Sequence, residues 1–175
     1  MHHTIFDTPV VNTLLRAGSR IFLRVNGWTV EGSLPPEAAK SVLIAAPHTS
    51  NWDLPYTLMV AFVLRWLGGI AVDRDKSSNL VAASAEAIVR ADGPVQLVVP
   101  PEGTRGKTRH WKTGFYFIAL QARVPIVLAY MDYERKVSGL GPIFKPTGDV
   151  DADMVEIKRF YAPIKGRCAD LFGTN

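Results

Sequence analysis

The chain has 175 residues, 47% of them apolar and 21% charged, a balance that predicts one globular domain and excludes a disordered or fibrous chain. A lone cysteine, Cys168, excludes a disulfide framework and a thiolate metal cage, and fits a reducing compartment. The formal net charge of +4 favours anionic partners, but Lys and Arg are scattered and no zinc-finger or RNA-binding signature occurs, so no nucleic-acid partner is expected.

The opening Met1-His2-His3-Thr4 has no basic segment leading into an apolar core, so no secretory signal is expected. Pro9 to Val25 predicts a helix, with Val10, Val11, Leu14, Leu15, Ala17, Ile21, Phe22 and Val25 clustered on one broad face. Arg16, Arg20 and Arg24 recur every fourth residue beside that face. Two readings stand: a surface helix with a solvated charged edge, or an interfacial helix whose arginines meet lipid phosphates. Residues 1–26 thus form an amphipathic N-terminal unit.

Trp28 to Gly32 predicts a short strand. Ser41 to Ala46 is a continuous apolar run, the pattern of a strand buried on both faces. Pro47 ends it, and His48-Thr49-Ser50-Asn51-Trp52-Asp53 follows as a polar loop, with Asp53 able to cap a helix starting near Pro55. The mostly apolar run Leu54 to Leu67 is too short to span a bilayer and predicts a buried or interfacial helix. Then come a strand at Gly69 to Arg74 and a helix at Ser77 to Ala91 with Leu80, Val81, Ala85, Ile88 and Val89 facing in. Val95 to Val99 is a strand, Lys112 to Ala122 a helix and Val124 to Tyr133 a long apolar strand. Ile143 to Thr147, beside Pro142, reads as an edge strand and Asp151 to Ile164 as the closing helix. Alternating strands and helices predict a single α/β layered domain over 1–175, its largely parallel central sheet flanked by helices.

The first chemical constellation is His48 with Asp53, after a buried strand, where open α/β sheets form ligand crevices. Near pH 7 an imidazole can take a proton from a hydroxyl, and a carboxylate on its other nitrogen would fix the tautomer and stabilise the cation. Read alone, Asp53 is equally a helix cap and His48 a loop residue. The second is Glu102-Gly103-Thr104-Arg105, also directly after a strand. Glycine permits close approach of a ligand, Thr104 offers a hydroxyl and Arg105 a planar fork suited to phosphate. Alone, this tetrapeptide reads as a turn with an exposed ion pair. A third is Arg74, at the end of the Gly69-to-Arg74 strand, able to join Arg105 around an anion or to pair with Asp73 on the surface.

Gly106-Lys107-Thr108 resembles the end of a nucleotide-binding loop, but the glycine required five residues earlier is Pro101, which has no N–H to offer a phosphate. The chain has no Gly-x-Ser-x-Gly elbow, and no zinc-protease motif or His/Cys cluster with metal-ligand spacing, so no metal is expected.

In order along the chain, His48-x4-Asp53, Gly69 to Arg74, Glu102 to Arg105 and Val124-Pro125-Ile126 resemble the four blocks of the glycerolipid acyltransferase family, which includes the bacterial lysophosphatidic acid acyltransferases. The resemblance covers the core from residue 41 to 133. It implies a glycerol-3-phosphate acyltransferase-like fold and an enzyme in which His48, paired with Asp53, activates an acceptor hydroxyl for attack on an acyl thioester. It also implies that Arg74, Glu102, Gly103, Thr104 and Arg105 bind the acceptor's phosphate. No cofactor is needed: coenzyme A or acyl carrier protein enters only as carrier of the acyl donor. The expected partners are that thioester, a lysolipid or glycerol-phosphate acceptor and an anionic membrane, met peripherally on its cytoplasmic, inner face. One departure is the segment between Asp53 and Gly68, only 14 residues long and shorter than the family's usual stretch. It keeps a second reading open, a lipid-binding module of the same fold without catalysis; a nucleotide-binding protein is the remaining alternative.

Overall fold

The computed structural model describes residues 9–47, 80–103 and 111–167. Helix α1 (Pro9–Val25) leads to strand β1 (Thr29–Glu31), a short 3-10 turn (Pro36–Ala38) and strand β2 (Lys40–Ala46). Then come α2 (Leu80–Arg90), β3 (Val95–Val99), α3 (Gly114–Ala122), β4 (Ile126–Asp132), β5 (Val137–Phe144) and α4 (Val150–Tyr161). The strands form one sheet in the order β1-β5-β4-β2-β3. β2 pairs in parallel with β3 and with β4, whereas β5 runs antiparallel to β4 and parallel to β1. The result is the mixed α/β, mostly parallel sheet flanked by helices that the alternation of elements predicts.

β2 sits between β4 and β3, and its pleat sends Val42, Ile44 and Ala46 to one face, all buried. Against that face pack Ala85 and Ile88 of α2, Phe115, Ile118 and Ala119 of α3, and Met154, Ile157 and Tyr161 of α4. Burying a side chain of this size contributes about 1.5–3 kcal/mol, which makes this layer the main source of stability. α3 is apolar nearly all round, as a helix between sheet and neighbouring helix must be. It stops at Arg123, which takes the left-handed conformation at φ 55°. α4 starts where Asp149 accepts the Ala152 N–H at 3.1 Å and carries Asp151 and Asp153 in its first turn, with Lys158 and Arg159 in its last. Both placements complement the helix dipole.

β1 is held from two strands away. The Tyr130 hydroxyl on β4 reaches across β5 and donates to Glu31 Oε2 at 2.9 Å. It can do so because Gly139 lies between them: a Cβ there would stand 3.1 Å from the Tyr130 oxygen and 2.7 Å from the Glu31 carbonyl oxygen.

Three sequence expectations need correction. The edge strand expected at 143–147 is the long β5, which starts at Val137 and pairs on both sides, with β1 at 137–139 only. Pro142, which cannot donate to a ladder, lies past the β1 pairing and beside a register shift opposite β4. α3 starts at Gly114 rather than Lys112, whose N–H ties the approach to the helix to the Pro101 carbonyl at 2.8 Å. On α2 the inward face is Val81, Ser84, Ala85 and Ile88; Val89, one step further round, is 57% exposed.

α1 forms as predicted, but Leu14, Ile21, Phe22 and Val25 are 66%, 62%, 42% and 81% exposed. Its apolar side is therefore largely open to solvent among the described residues, most fully at Leu14, Ile21 and Val25. The helix is tied down at its end, where the Trp28 N–H donates to Leu23 O at 2.8 Å and the buried Trp28 ring meets Tyr133 edge-on at 5.0 Å. Among the described residues no helix is long and apolar enough to cross a membrane.

Candidate active site at the carboxyl edge of the sheet

β2, β3 and β4 run the same way, so their carboxyl ends share one edge. From β2 the chain goes to β3 on one side and then to β4 on the other, so the strand order reverses about β2. In α/β sheets the ligand crevice opens outside the strand ends at such a reversal. Ile44 of β2 lies opposite Val99 of β3 and opposite Leu128 of β4. β2 continues to Ala46 and ends at the buried Pro47. Adjacent strands lie about 4.8 Å apart, so Pro47, directly before His48 in the chain, and Pro100-Pro101-Glu102-Gly103 leave the sheet side by side.

The segment after β3 folds back on itself. The Gly103 N–H donates to Pro100 O at 3.2 Å, and the Lys112 N–H to Pro101 O at 2.8 Å. Pro101 and Glu102 are buried, whereas Gly103 is exposed at φ +65°. A Cβ on Gly103 would fall 2.8 Å from Lys112 Cε, so the lysine side chain crosses directly over the glycine. Glycine is required there by the backbone, and Lys112 is a cation beside the expected phosphate-binding block that the motifs alone do not single out.

A second residue without a sequence signal is Tyr161, the last of α4. Fully buried, it donates its hydroxyl to Ile44 O at 3.0 Å and Ala129 O at 2.9 Å. Its ring meets Trp111 edge-on at 5.4 Å. Burial first, and the Glu102 carboxylate second, push its pKa well above the ordinary tyrosine value, so it remains a neutral donor.

Of the residues the sequence singles out, Glu102 and Gly103 are thus found at the carboxyl edge of β3. His48, Asp53, Arg74, Thr104 and Arg105 lie outside the described residues. So do the strand expected at 69–74, the helix at 54–67, Gly106-Lys107-Thr108 and Cys168. No group of three or more His, Cys, Asp or Glu side chains that could hold a metal ion occurs among the described residues.

The Acyltransferase family model matches residues 56–132, a stretch that starts after His48 and Asp53 and takes in Arg74 and the Glu102-to-Arg105 block. No curated protein matches the chain. Among solved structures, the 1-acyl-sn-glycerophosphate (LPA) acyltransferase PlsC from Thermotoga maritima is similar with a TM-score of 0.54 and 20% identity, over 79% of this chain and 72% of that one. At this identity the likeness speaks for the fold. The chain is thus similar to acyltransferases in two independent respects, the Acyltransferase model over part of its sequence and a PlsC-like arrangement of its backbone.

Proposed function

We propose that this protein is an acyltransferase that moves a fatty acyl group from a thioester of coenzyme A or acyl carrier protein to a hydroxyl of a lysophospholipid or glycerol-phosphate-type acceptor. The parallel pairing of Ile44 with Val99 carries this reading most directly. It makes neighbours of the two segments that lead to His48 and to the Glu102-to-Arg105 block. A base and an anion-binding turn on adjacent strand ends are what a phosphate-bearing alcohol needs.

His48, oriented by Asp53, takes the acceptor's hydroxyl proton as the oxygen attacks the thioester carbonyl. The tetrahedral intermediate collapses to an ester and expels the thiolate, which recovers the proton from the imidazolium. Since the thioester is already activated, no acyl-enzyme is required. Arg74, Gly103, Thr104 and Arg105 hold the phosphate, with Glu102 buried beneath the turn, so that the hydroxyl stays in attack geometry. The exposed apolar side of α1, with its arginines in sequence register, favours a peripheral seat on the anionic inner face of the cytoplasmic membrane.

Purified protein incubated with radiolabelled acyl-coenzyme A or acyl carrier protein and a panel of lysolipids tests this reading. Labelled ester is expected with a phosphate-bearing acceptor, lost in His48→Ala; Arg105→Ala is expected mainly to raise the acceptor KM. Undiminished turnover in His48→Ala removes the base from the mechanism. The 14 residues between Asp53 and Gly68 favour a second reading, lipid binding without catalysis. Lysolipid binding with no ester from either donor decides for it.

A further inference from the structure

Tyr161 belongs to none of the blocks that carry the family resemblance, yet its hydroxyl bonds to two strands of the sheet. Its single hydroxyl proton is shared between Ile44 O on β2 and Ala129 O on β4, at 3.0 and 2.9 Å. These two strands are direct parallel neighbours. Glu102, on the segment after β3, acts on the same hydroxyl through its charge. The ring is clamped edge-on between Trp111 at 5.4 Å and Phe160 at 4.9 Å, and the residue has no exposed surface. One side chain from the last described helix therefore meets β2, β4 and Trp111 in the segment ahead of α3, and sits within electrostatic reach of the turn after β3.

We infer that Tyr161 is a positioning residue for acyl transfer: its hydroxyl fixes the carboxyl end of β2, which leads to His48, relative to β4. The inference rests on the acyl-transfer reading above. Ladder bonds and the packing of Ile44 and Ala46 in the core still leave a strand end some freedom to slip along its neighbour. A shared donor on two strands removes that freedom. Displacement of a base by about 1 Å can cost on the order of 100-fold in rate, so a smaller slip costs less but remains measurable.

Tyr161→Phe removes the oxygen and keeps the ring. Its control is Asp153→Asn, which weakens another buried hydrogen-bond cluster of α4, the one joining it to Tyr116 and Thr147. Both variants are assayed at equal folded fraction, set by circular dichroism. In Tyr161→Phe, kcat is expected to fall about tenfold with both KM values within about twofold, the pattern of lost transition-state geometry; Asp153→Asn is expected to keep wild-type kcat. An unchanged kcat in Tyr161→Phe, or an equal loss in Asp153→Asn, overturns the inference. Titration of the His48 imidazole by NMR reads the same coupling without turnover. A midpoint displaced in Tyr161→Phe but not in Asp153→Asn supports it, and coincident curves overturn it. If wild-type protein transfers no acyl group, the acyl-transfer reading fails while this second readout still decides for or against Tyr161. Should Tyr161→Phe not fold, hydrogen exchange of the Ile44 to Ala46 amides in wild-type protein decides. Protection equal to that of the β2 centre supports a fixed strand end, and early exchange overturns it.

Discussion

The Tyr116 hydroxyl donates to Asp153 Oδ2 at 2.6 Å, a buried bond that joins α3 to the first turns of α4. Asp153 also accepts from the Thr147 N–H at 2.7 Å and the Thr147 hydroxyl at 2.9 Å. Burial works to raise its pKa, but these hydrogen bonds together outweigh it and hold the carboxyl below its ordinary value. A lowered folded-state pKa means stability that is present above the unfolded value, about 3.9, and lost as pH falls through the folded one. Urea midpoints are therefore expected to drop below about pH 4 in the wild type and to flatten in Asp153→Asn. At pH 7 that variant should lose about 1–3 kcal/mol. Identical pH profiles would show that another group governs acid stability.

Ser41 makes the opposite case. It is fully buried at the start of β2, and its hydroxyl has no hydrogen-bond partner among the described residues. A hydroxyl hidden from water without a partner is a net cost, so Ser41→Ala is expected to raise stability by about 1 kcal/mol. Chemical denaturation checks it; a less stable variant would mean that the hydroxyl is bonded after all.

Gly103 combines positive φ with the Lys112 side chain lying over it. A left-handed non-glycine residue costs about 1–2 kcal/mol, while the end of a lysine can swing aside. Gly103→Ala should lose about that much, and the loss should persist in a Lys112→Ala background. If the double variant recovers wild-type stability, the contact and not the backbone sets the requirement for glycine.

The exposed Ile21, Phe22 and Val25 of α1 predict vesicle binding. Burying a phenylalanine contributes about 1.5–3 kcal/mol, so Phe22→Glu should weaken partitioning onto anionic vesicles roughly tenfold or more. Salt should weaken it too, since the Debye length shrinks from about 10 Å at 0.1 M to about 3 Å at 1 M. Equal binding to neutral vesicles in high salt would assign the apolar side to another partner.

The elements legible in the sequence were those where local pattern and tertiary role agree. Val95 to Val99 has strand composition and is a strand; α1 has helical periodicity and is a helix with the predicted ends. β5 was half hidden because Gly139, Gly141 and Pro142 look like turn residues. Gly139 is there to let Tyr130 pass and Gly141 to admit Phe160, whose ring would stand 2.4 Å from an added Cβ. Neither reason is local. The candidate site divides in the same way. His48, Asp53 and the Glu102-to-Arg105 block are local patterns that sequence can display. Tyr161 reaches Ile44 across 117 positions of chain, a distance over which no spacing rule operates.

The stretch matching the family model ends at Asp132, the last residue of β4. Both β5 and α4 come later, and with them the hydroxyl that bridges β2 to β4. The matched segment is therefore not a transplantable module. Moved into another scaffold without β2, β5 and α4, it would bring the turn after β3 but leave behind the neighbouring strand and the hydroxyl that braces it against β4.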